Sequence, residues 1–218
     1  MTVTIHTPGI AAIDEGLLTR WRAIPVPVAV DLAPEAHQIS PELRPLLPPG
    51  QQPRLFGRAL TVRCAPPDFG AVLHAVGMIG PGEVLVIEAA GQPRHAMIGD
   101  VLGGHLHRVG AAGIVCDGPV RDVGNLARMP GLAVYSRSVT PRGPTGVALG
   151  EVNCPVQIGG TTVHPGDLIL GDCDGLIALP AAALAGLIDR MEQKVRLEEA
   201  WVARLALDEP ITAIFGLI

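Results

Sequence analysis

The stretch from Glu83 to Asp122 restricts the fold of this chain more tightly than any other. Glu83–Ala89 is a continuous apolar run of the kind that forms a strand buried on both faces. Val101–Val109 has helical spacing, Gly110–Gly113 stops it, and Gly113–Cys116 is a second buried strand. Strand, helix and strand in that order imply a parallel pair joined by a right-handed crossover. Gly57–Cys64 adds an earlier strand, with Ala59, Thr61 and Arg63 alternating against Leu60, Val62 and Cys64. Phe69–Met78 is a helix that ends at Gly80-Pro81-Gly82, and Leu132–Ser136 is a further short strand.

The flanks read differently. Ile10–Trp21 is expected to be a helix, Val26–Asp31 a strand or extended piece, and the proline-rich stretch Pro41–Pro53 a loop; residues 1–55 together form a helical and extended lead-in. After Gly150 come the short runs Pro155–Ile158, Thr161–His164, Asp167–Leu170 and Gly175–Leu179. Gly159-Gly160 between two of them is a hairpin signal. These runs predict a β-meander packed against the βαβ unit. Pro180 then opens a long helix over 181–206, with Leu184, Leu187, Ile188, Met191, Val195, Val202 and Leu205 on one apolar stripe and Glu198 interrupting it. The fold class is α/β, one domain over residues 1–218.

A chain of 218 residues has room for one sizeable core. Hydrophobic residues make up 48% but aromatics only 3%, so Val, Leu, Ile and Ala must build that core. The net charge of -5 and the single lysine, Lys194, argue against a nucleic-acid surface. No run approaches the roughly 18 apolar residues of a membrane span, and no basic-then-apolar leader opens the chain. Cys64, Cys116, Cys154 and Cys173 are far apart with no Cys-x-x-Cys pair, which predicts reduced core thiols in a cytoplasmic protein.

Chemistry concentrates in two acid-bearing turns. Asp100, after Gly99, stands where a helix N-cap is expected, and the amides of Gly99, Asp100, Val101 and Leu102 would face a carboxylate or phosphate. Taken alone, it is more often an ordinary capping aspartate. Arg121-Asp122 follows the next strand, on the side where open α/β sheets bind ligands. Arginine suits bidentate recognition of a carboxylate, and aspartate is a hard oxygen ligand for Mg²⁺. An isolated Arg-Asp pair is more often a surface salt bridge. Two such turns on one βαβ unit, at a spacing that lets them meet, favour a site. His105 and His107 are two apart on a helix and face different ways, so they do not form a metal pair. Val84–Gly91 lacks the glycines of a cofactor cradle, Asp172-x-Asp174-Gly175 lacks the later positions of a calcium loop, and no Gly-x-Ser-x-Gly elbow exists.

Gly99-Asp100, twenty intervening residues and Arg121-Asp122 resemble the signature of the class II 4-hydroxy-4-methyl-2-oxoglutarate / 4-carboxy-4-hydroxy-2-oxoadipate aldolases, which share a fold with the regulator of ribonuclease E activity A. Gly57-x-Ala59-x-Thr61-Val62, the run Pro81–Val86, Asp117-Gly118 and Pro165-Gly166-Asp167 through Asp174-Gly175 extend the likeness over about Gly57 to Leu205. The resemblance implies a β/β/α swivelling-type fold assembled as a homotrimer or homohexamer with shared sites. It implies Mg²⁺ or Mn²⁺ held directly by Asp122 and through water by Asp100. It also implies that the Val101 and Leu102 amides and Arg121 hold the pyruvoyl end of a 2-oxo acid, with Arg121 and Asp100 orienting the base. A glutamate from a neighbouring subunit's C-terminal helix completes such a site, and Glu198 is the match, with Glu199 the alternate. The implied activity is metal-dependent cleavage of 4-hydroxy-2-oxo acids to pyruvate, with oxaloacetate decarboxylation beside it. The other activity in the family is non-catalytic regulation of ribonuclease E, whose members typically lack the aspartate matching Asp122. The chain departs from the family pattern at His105 and at Asp68-Phe69-Gly70, so nothing carries over for the far end of the substrate.

Overall fold

The computed structural model describes residues 2–34 and 37–217. Four parallel strands form its centre: β4 (Leu55–Arg63), β5 (Glu83–Glu88), β6 (Gly113–Val120) and β7 (Ala133–Val139). Helices α3 (Gly70–Met78), α4 (Asp100–Arg108) and α5 (Val123–Leu126) make the three crossovers between them. The expected βαβ unit is thus β5–α4–β6, with Val84 beside Gly113 and Ile87 beside Cys116. Every residue of β6 is buried, as its unbroken apolar start requires. The strand also runs four residues past Cys116, through Asp117-Gly118-Pro119-Val120, which carries the chain to the rim where Arg121 begins.

The two faces of β4 show how the layers are divided. Phe56, Leu60 and Val62 face the helices, while Leu55 and Ala59 face a second, two-stranded sheet made of β9 (Val156–Ile158) and β10 (Thr161–Val163). Thr61 is also fully buried there and donates to the Cys154 carbonyl at 2.6 Å. The hairpin at Gly159-Gly160 is present. The meander is not one unit, however. Its later strands β11 (Leu168–Gly171) and β12 (Leu176–Leu179) join the main sheet, β11 antiparallel to β4. Leu168, Ile169 and Leu170 are buried on both faces, and a central position in the large sheet satisfies all three.

The lead-in differs more. Val26–Leu32 is a helix, α2, not a strand. Its valines at every second position suggested a strand, but Pro25 and Pro27 fall at the helix mouth, where a missing N–H costs nothing. Burial of Val26, Val28 and Ala29 then fixes the helix. The first helix, α1, is shorter than its apolar pattern, Glu15–Arg22, because Asp14 caps it by accepting from the Leu17 N–H at 2.9 Å. Within Pro41–Pro53, Arg44–Pro45 forms the edge strand β3 beside β7. Strand β2 (Gln38–Ile39) closes the other edge beside β12, and β1 (Thr4–Ile5) with β8 (Glu151–Val152) extends the end of β4. Cys64, Cys116 and Cys154 are buried thiols, but Cys173 is exposed, so the expectation of four core cysteines holds for three. No described helix is long and apolar enough to cross a membrane.

The long helix α6 (Leu184–Leu205) follows a 3₁₀ turn over Ala181–Ala183. Only Leu184, Ile188 and Met191 of its stripe are buried, against Trp21, Leu168, Ile177 and their neighbours. Leu187 and Val195 pack against the same cluster half-buried, and beyond Val195 the helix runs off the core. A last short helix, α7 (Ile211–Ile214), packs back on it.

Candidate active site

The rim above β6 brings the two acid-bearing turns together. Ile98 bridges Val120 in parallel, and the Arg121 N–H donates to the Ile98 carbonyl at 3.1 Å. This lays Gly99-Asp100 directly beside Arg121-Asp122. Asp122 has φ 55°, the left-handed region, and its carbonyl accepts from the N–H groups of Asn125 and Leu126 to start α5. Holding a non-glycine residue in that conformation costs of order 1–3 kcal/mol, and such positions cluster at functional sites. A Cβ on Gly99 would lie 2.4 Å from Asp122 Oδ2 and 2.9 Å from Arg121 Cγ, so glycine is what admits both side chains.

Asp100 is not the N-cap. Gly99 occupies that place, and Asp100 is the first helical residue of α4. Its N–H reaches toward Asp122 Oδ2 at 3.4 Å, and its carboxylate accepts from Asn125 Nδ2 at 2.5 Å. That hydrogen bond is the main reason its carboxyl is held below the ordinary range. Partial burial acts the other way, and contact with Asp122 and the charge of Arg121 add to the lowering. Asn125 is itself gripped by Arg128 Nη2 at 2.5 Å. Arg121 Nε pairs with Asp122 Oδ2 at 3.3 Å.

Arg121 and Asp122 open on a cleft of about 340 Å³, lined also by Gly99, Val101, Leu102, Phe69, Leu73, Met97 and Pro144; Asp100 stands at its edge, outside the lining. One wall is the loop that ends at β8. Gly143 sits against the Arg121 guanidinium, and the loop is fastened by Asp68, whose carboxylate accepts from the N–H groups of Gly70, Ala148 and Leu149 at 2.8, 3.0 and 3.0 Å. Burial alone would raise the Asp68 carboxyl, but the bonds from Ala148, Gly70 and Leu149 outweigh it and hold the group below its usual range. Asn125, Asp68 and Gly143 were not identified from sequence. Asp68 was recoverable, because aspartate two residues before the first residue of a helix is a turn-forming pattern.

The two histidines of α4 and Glu198 lie away from the cleft. His105 Nδ1 meets Arg108 Nη2 at 2.8 Å and His107 Nε2 meets the Pro130 carbonyl at 3.0 Å, and neither lines the cleft. Glu198 is also absent from the lining. Its place on the apolar stripe does not isolate it. Lys194, one turn earlier, pairs with it at 3.0 Å and also lies 4.7 Å from the Trp201 ring. With its side chain 40% exposed, Glu198 is a solvated partner of Lys194 in this chain and not a buried, orphaned charge.

The donor set at the rim is two neighbouring carboxylates facing open space. Among the described residues no three His, Cys, Asp or Glu side chains converge, so a closed all-protein metal cage is not built. The Asp100 and Asp122 pair instead suits a hard cation such as Mg²⁺ or Mn²⁺, which takes one or two carboxylates and keeps several waters.

The family model for RraA-like proteins (Aldolase/RraA) matches residues 28–178. The chain belongs to this family. A relative from Halalkalibacterium halodurans, which carries the provisional name of a 4-hydroxy-4-methyl-2-oxoglutarate aldolase, is 31% identical over 84% of this chain and 85% of its own. The solved structure of the RNA-processing inhibitor RraA from Thermus thermophilus is 31% identical, with a TM-score of 0.64 over 72% of this chain and 92% of that one. An uncharacterized protein from Pseudomonas syringae pv. tomato shares the fold at TM-score 0.83 and 20% identity, covering 98% of this chain and 99% of that one. The RraA-like match takes in both turns of the cleft and ends before α6, which bears Glu198.

Proposed function

We propose that this RraA-like protein is a divalent-metal-dependent lyase that cleaves 4-hydroxy-2-oxo acids, such as 4-hydroxy-4-methyl-2-oxoglutarate, to pyruvate and a second oxo acid. The observation that carries the reading is the meeting of the α4 N-terminus, Arg121 and Asp122 on one cleft, with Asp100 against Asp122 at its edge. Arg121 would hold the substrate's 1-carboxylate, and the amides at the start of α4, where the helix dipole is positive, would face the same anionic end. Asp122 and Asp100 would hold Mg²⁺ or Mn²⁺, which when bound supplies Lewis acidity toward the 2-oxo acid's carboxylate and carbonyl oxygens.

The bond change is a retro-aldol step. The C4 hydroxyl loses its proton and becomes a carbonyl, the C3–C4 pair moves to the pyruvoyl fragment, and C3 is then protonated to give pyruvate. Asp100 stays ionised because Asn125 holds its charged form, so it serves as a fixed acceptor that orients a water or the C4 hydroxyl. Arg121 keeps its charge throughout and offsets the negative charge that develops on the pyruvoyl oxygens. Oxaloacetate decarboxylation needs the same stabilisation and is an expected second activity. The test is pyruvate release by the full chain, with Mg²⁺, from each compound. Release from neither would leave inhibition of RNA processing, the role named for the Thermus relative, as the better account.

The assembly we propose is a homotrimer or homohexamer. Leu197, Val202, Leu205, Leu207 and Ile211 are each exposed on the outer half of α6 and the segment after it, apolar surface that a second copy would cover. Glu198, or Glu199 beside it, would then be presented to another copy's cleft, with Lys194 giving up its contact.

A further inference from the structure

The cleft is chemically two-sided. Arg121 and Asp122 hold its polar end, and among the described residues no other charged side chain lines it. Another wall is the flank of α3 that carries Phe69 and Leu73. The core takes Ala71, Val72, Ala75 and Val76 of this helix, all of them buried. Phe69, which also touches that core, and Leu73 remain half-buried and line the cleft. Core packing tolerates a polar residue on this part of the helix, as exposed His74 shows, so an apolar Leu73 serves the cleft. The Leu73 N–H donates to the Phe69 carbonyl at 3.2 Å, which places the two one helical turn apart. Four residues of helix rise about 6 Å. The apolar strip is therefore several carbon–carbon bonds long, and a methyl group would cover only part of it.

The loop before β8 closes over the strip. The Phe69 N–H donates to the Gly146 carbonyl at 3.2 Å and the Thr145 N–H to the Pro67 carbonyl at 2.8 Å. A Cβ on Gly70 would fall 2.5 Å from the Val147 carbonyl carbon, so loop and helix approach as closely as glycine permits. Pro144 joins the same lining, with Met97 and Leu102. An anion is poorly served there. The first two amides of α3, those of Gly70 and Ala71, already donate to the Asp68 carboxylate and the Leu149 carbonyl, at 2.8 and 3.2 Å. The charge fixed at that helix mouth is itself negative, the buried carboxylate of Asp68. A carboxylate brought to the strip would lose water without gaining a partner. An alkyl group gains from burial in the same place.

We propose that this strip is a subsite for an apolar substituent on C4 of the substrate, longer than a methyl group. The inference rests on the 2-oxo acid end lying at Arg121 and Asp122. C4 is then two bonds beyond the 2-oxo carbon, and its substituents reach the apolar walls. The substrate class narrows to 4-hydroxy-2-oxo acids with an alkyl chain on C4, and an arm ending in a carboxylate is disfavoured in that position.

The test compares kcat/KM for cleavage by the full chain, with Mg²⁺, of four 4-hydroxy-2-oxoglutarates that differ only in the second arm on C4: methyl, ethyl, propyl and carboxymethyl. Cleavage should rise about fourfold for each added carbon, the transfer free energy of one methylene written as a ratio. Propyl should exceed carboxymethyl by about tenfold or more, the cost of leaving a charged group unpartnered. Leu73→Asn should lower the propyl-to-carboxymethyl ratio by about tenfold, and Leu73→Met, which keeps the apolar length, should preserve it. A flat series from methyl to propyl overturns the proposal, and so does carboxymethyl cleaved as well as propyl. Equal loss on both by a Leu73→Asn protein that melts like the native chain also overturns it. If none of the four is cleaved, the lyase reading fails separately, and calorimetric binding of the propyl and carboxymethyl compounds decides the strip. Tighter binding of the propyl compound that Leu73→Asn loses sustains it; equal or absent binding overturns it.

Discussion

The rim above β6 and the outer half of α6 carry similar residues to opposite ends. At the rim, Asp100 and Asp122 are brought side by side, and neighbouring groups restrain them: Asn125 holds Asp100, and Arg121 meets Asp122. On α6, Glu198 sits among apolar side chains in sequence, yet one turn of helix supplies Lys194 and the exposed flank supplies water. Exposure does not separate them, since the side chains of Asp122 and Glu198 are 37% and 40% exposed. The parallel strands and the Gly99 turn bring acids from two distant turns to one point, while a single helix gives Glu198 only a neighbour from its own turn.

The largest effect expected from this contrast is at Arg121. Arg121→Ala should lower pyruvate release by about 10³-fold, near the loss of a donor to developing negative charge, with the melting temperature little changed. A comparable drop in both would make Arg121 structural. Gly99→Ala comes next. Its new methyl must displace Asp122 and Arg121, and a misplacement near 1 Å costs about 10²-fold in rate. Activity should fall far more than stability, as chemical denaturation run beside the assay would show.

Asp68→Asn tests the loop wall. An amide nitrogen cannot accept the bonds that the carboxylate takes, so the loss should be about 1–3 kcal/mol at neutral pH. The sign with pH follows from the depressed carboxyl. Its stabilisation is full above the unfolded value of roughly 4 and disappears as pH falls through the lower folded value. Wild type and variant should therefore converge in acid, and a gap that persists at pH 2 would assign the loss to something other than charge. The smallest effect belongs to the α6 side. Glu198→Ala should change the stability of the chain by less than about 0.5 kcal/mol, the worth of an exposed i, i+4 pair. If copies share sites, mixing Glu198→Ala with Asp122→Ala under subunit exchange should return part of the activity; exchange without recovery removes Glu198 from the site.

The same contrast explains what could be read from sequence. The β5–α4–β6 unit was legible because unbroken apolar runs have few ways to be buried, and its turns then had to meet. The left-handed Asp122 and the grip of Asn125 were not, since both depend on how the chain turns into α5. Val26–Leu32 was misread because alternating valines carry the period of a strand, while the deciding fact, a helix-covered sheet edge needing Val26, Val28 and Ala29, lies over a hundred residues away at β12. The setting of Glu198 was not legible, because an apolar stripe does not show how far along a helix burial extends: full burial ends at Met191 and packing at Val195, and no local pattern marks where a helix leaves its core.

The central claim is that the rim between Gly99 and Asp122 is a metal-assisted lyase site. Its most direct test is pyruvate release from 4-hydroxy-4-methyl-2-oxoglutarate after exhaustive chelation and again after Mg²⁺ or Mn²⁺ is returned, for the native chain and for Asp122→Ala. The account predicts no release from either chelated protein and recovery in the native chain alone. Release that survives chelation, or equal recovery in Asp122→Ala, would contradict it.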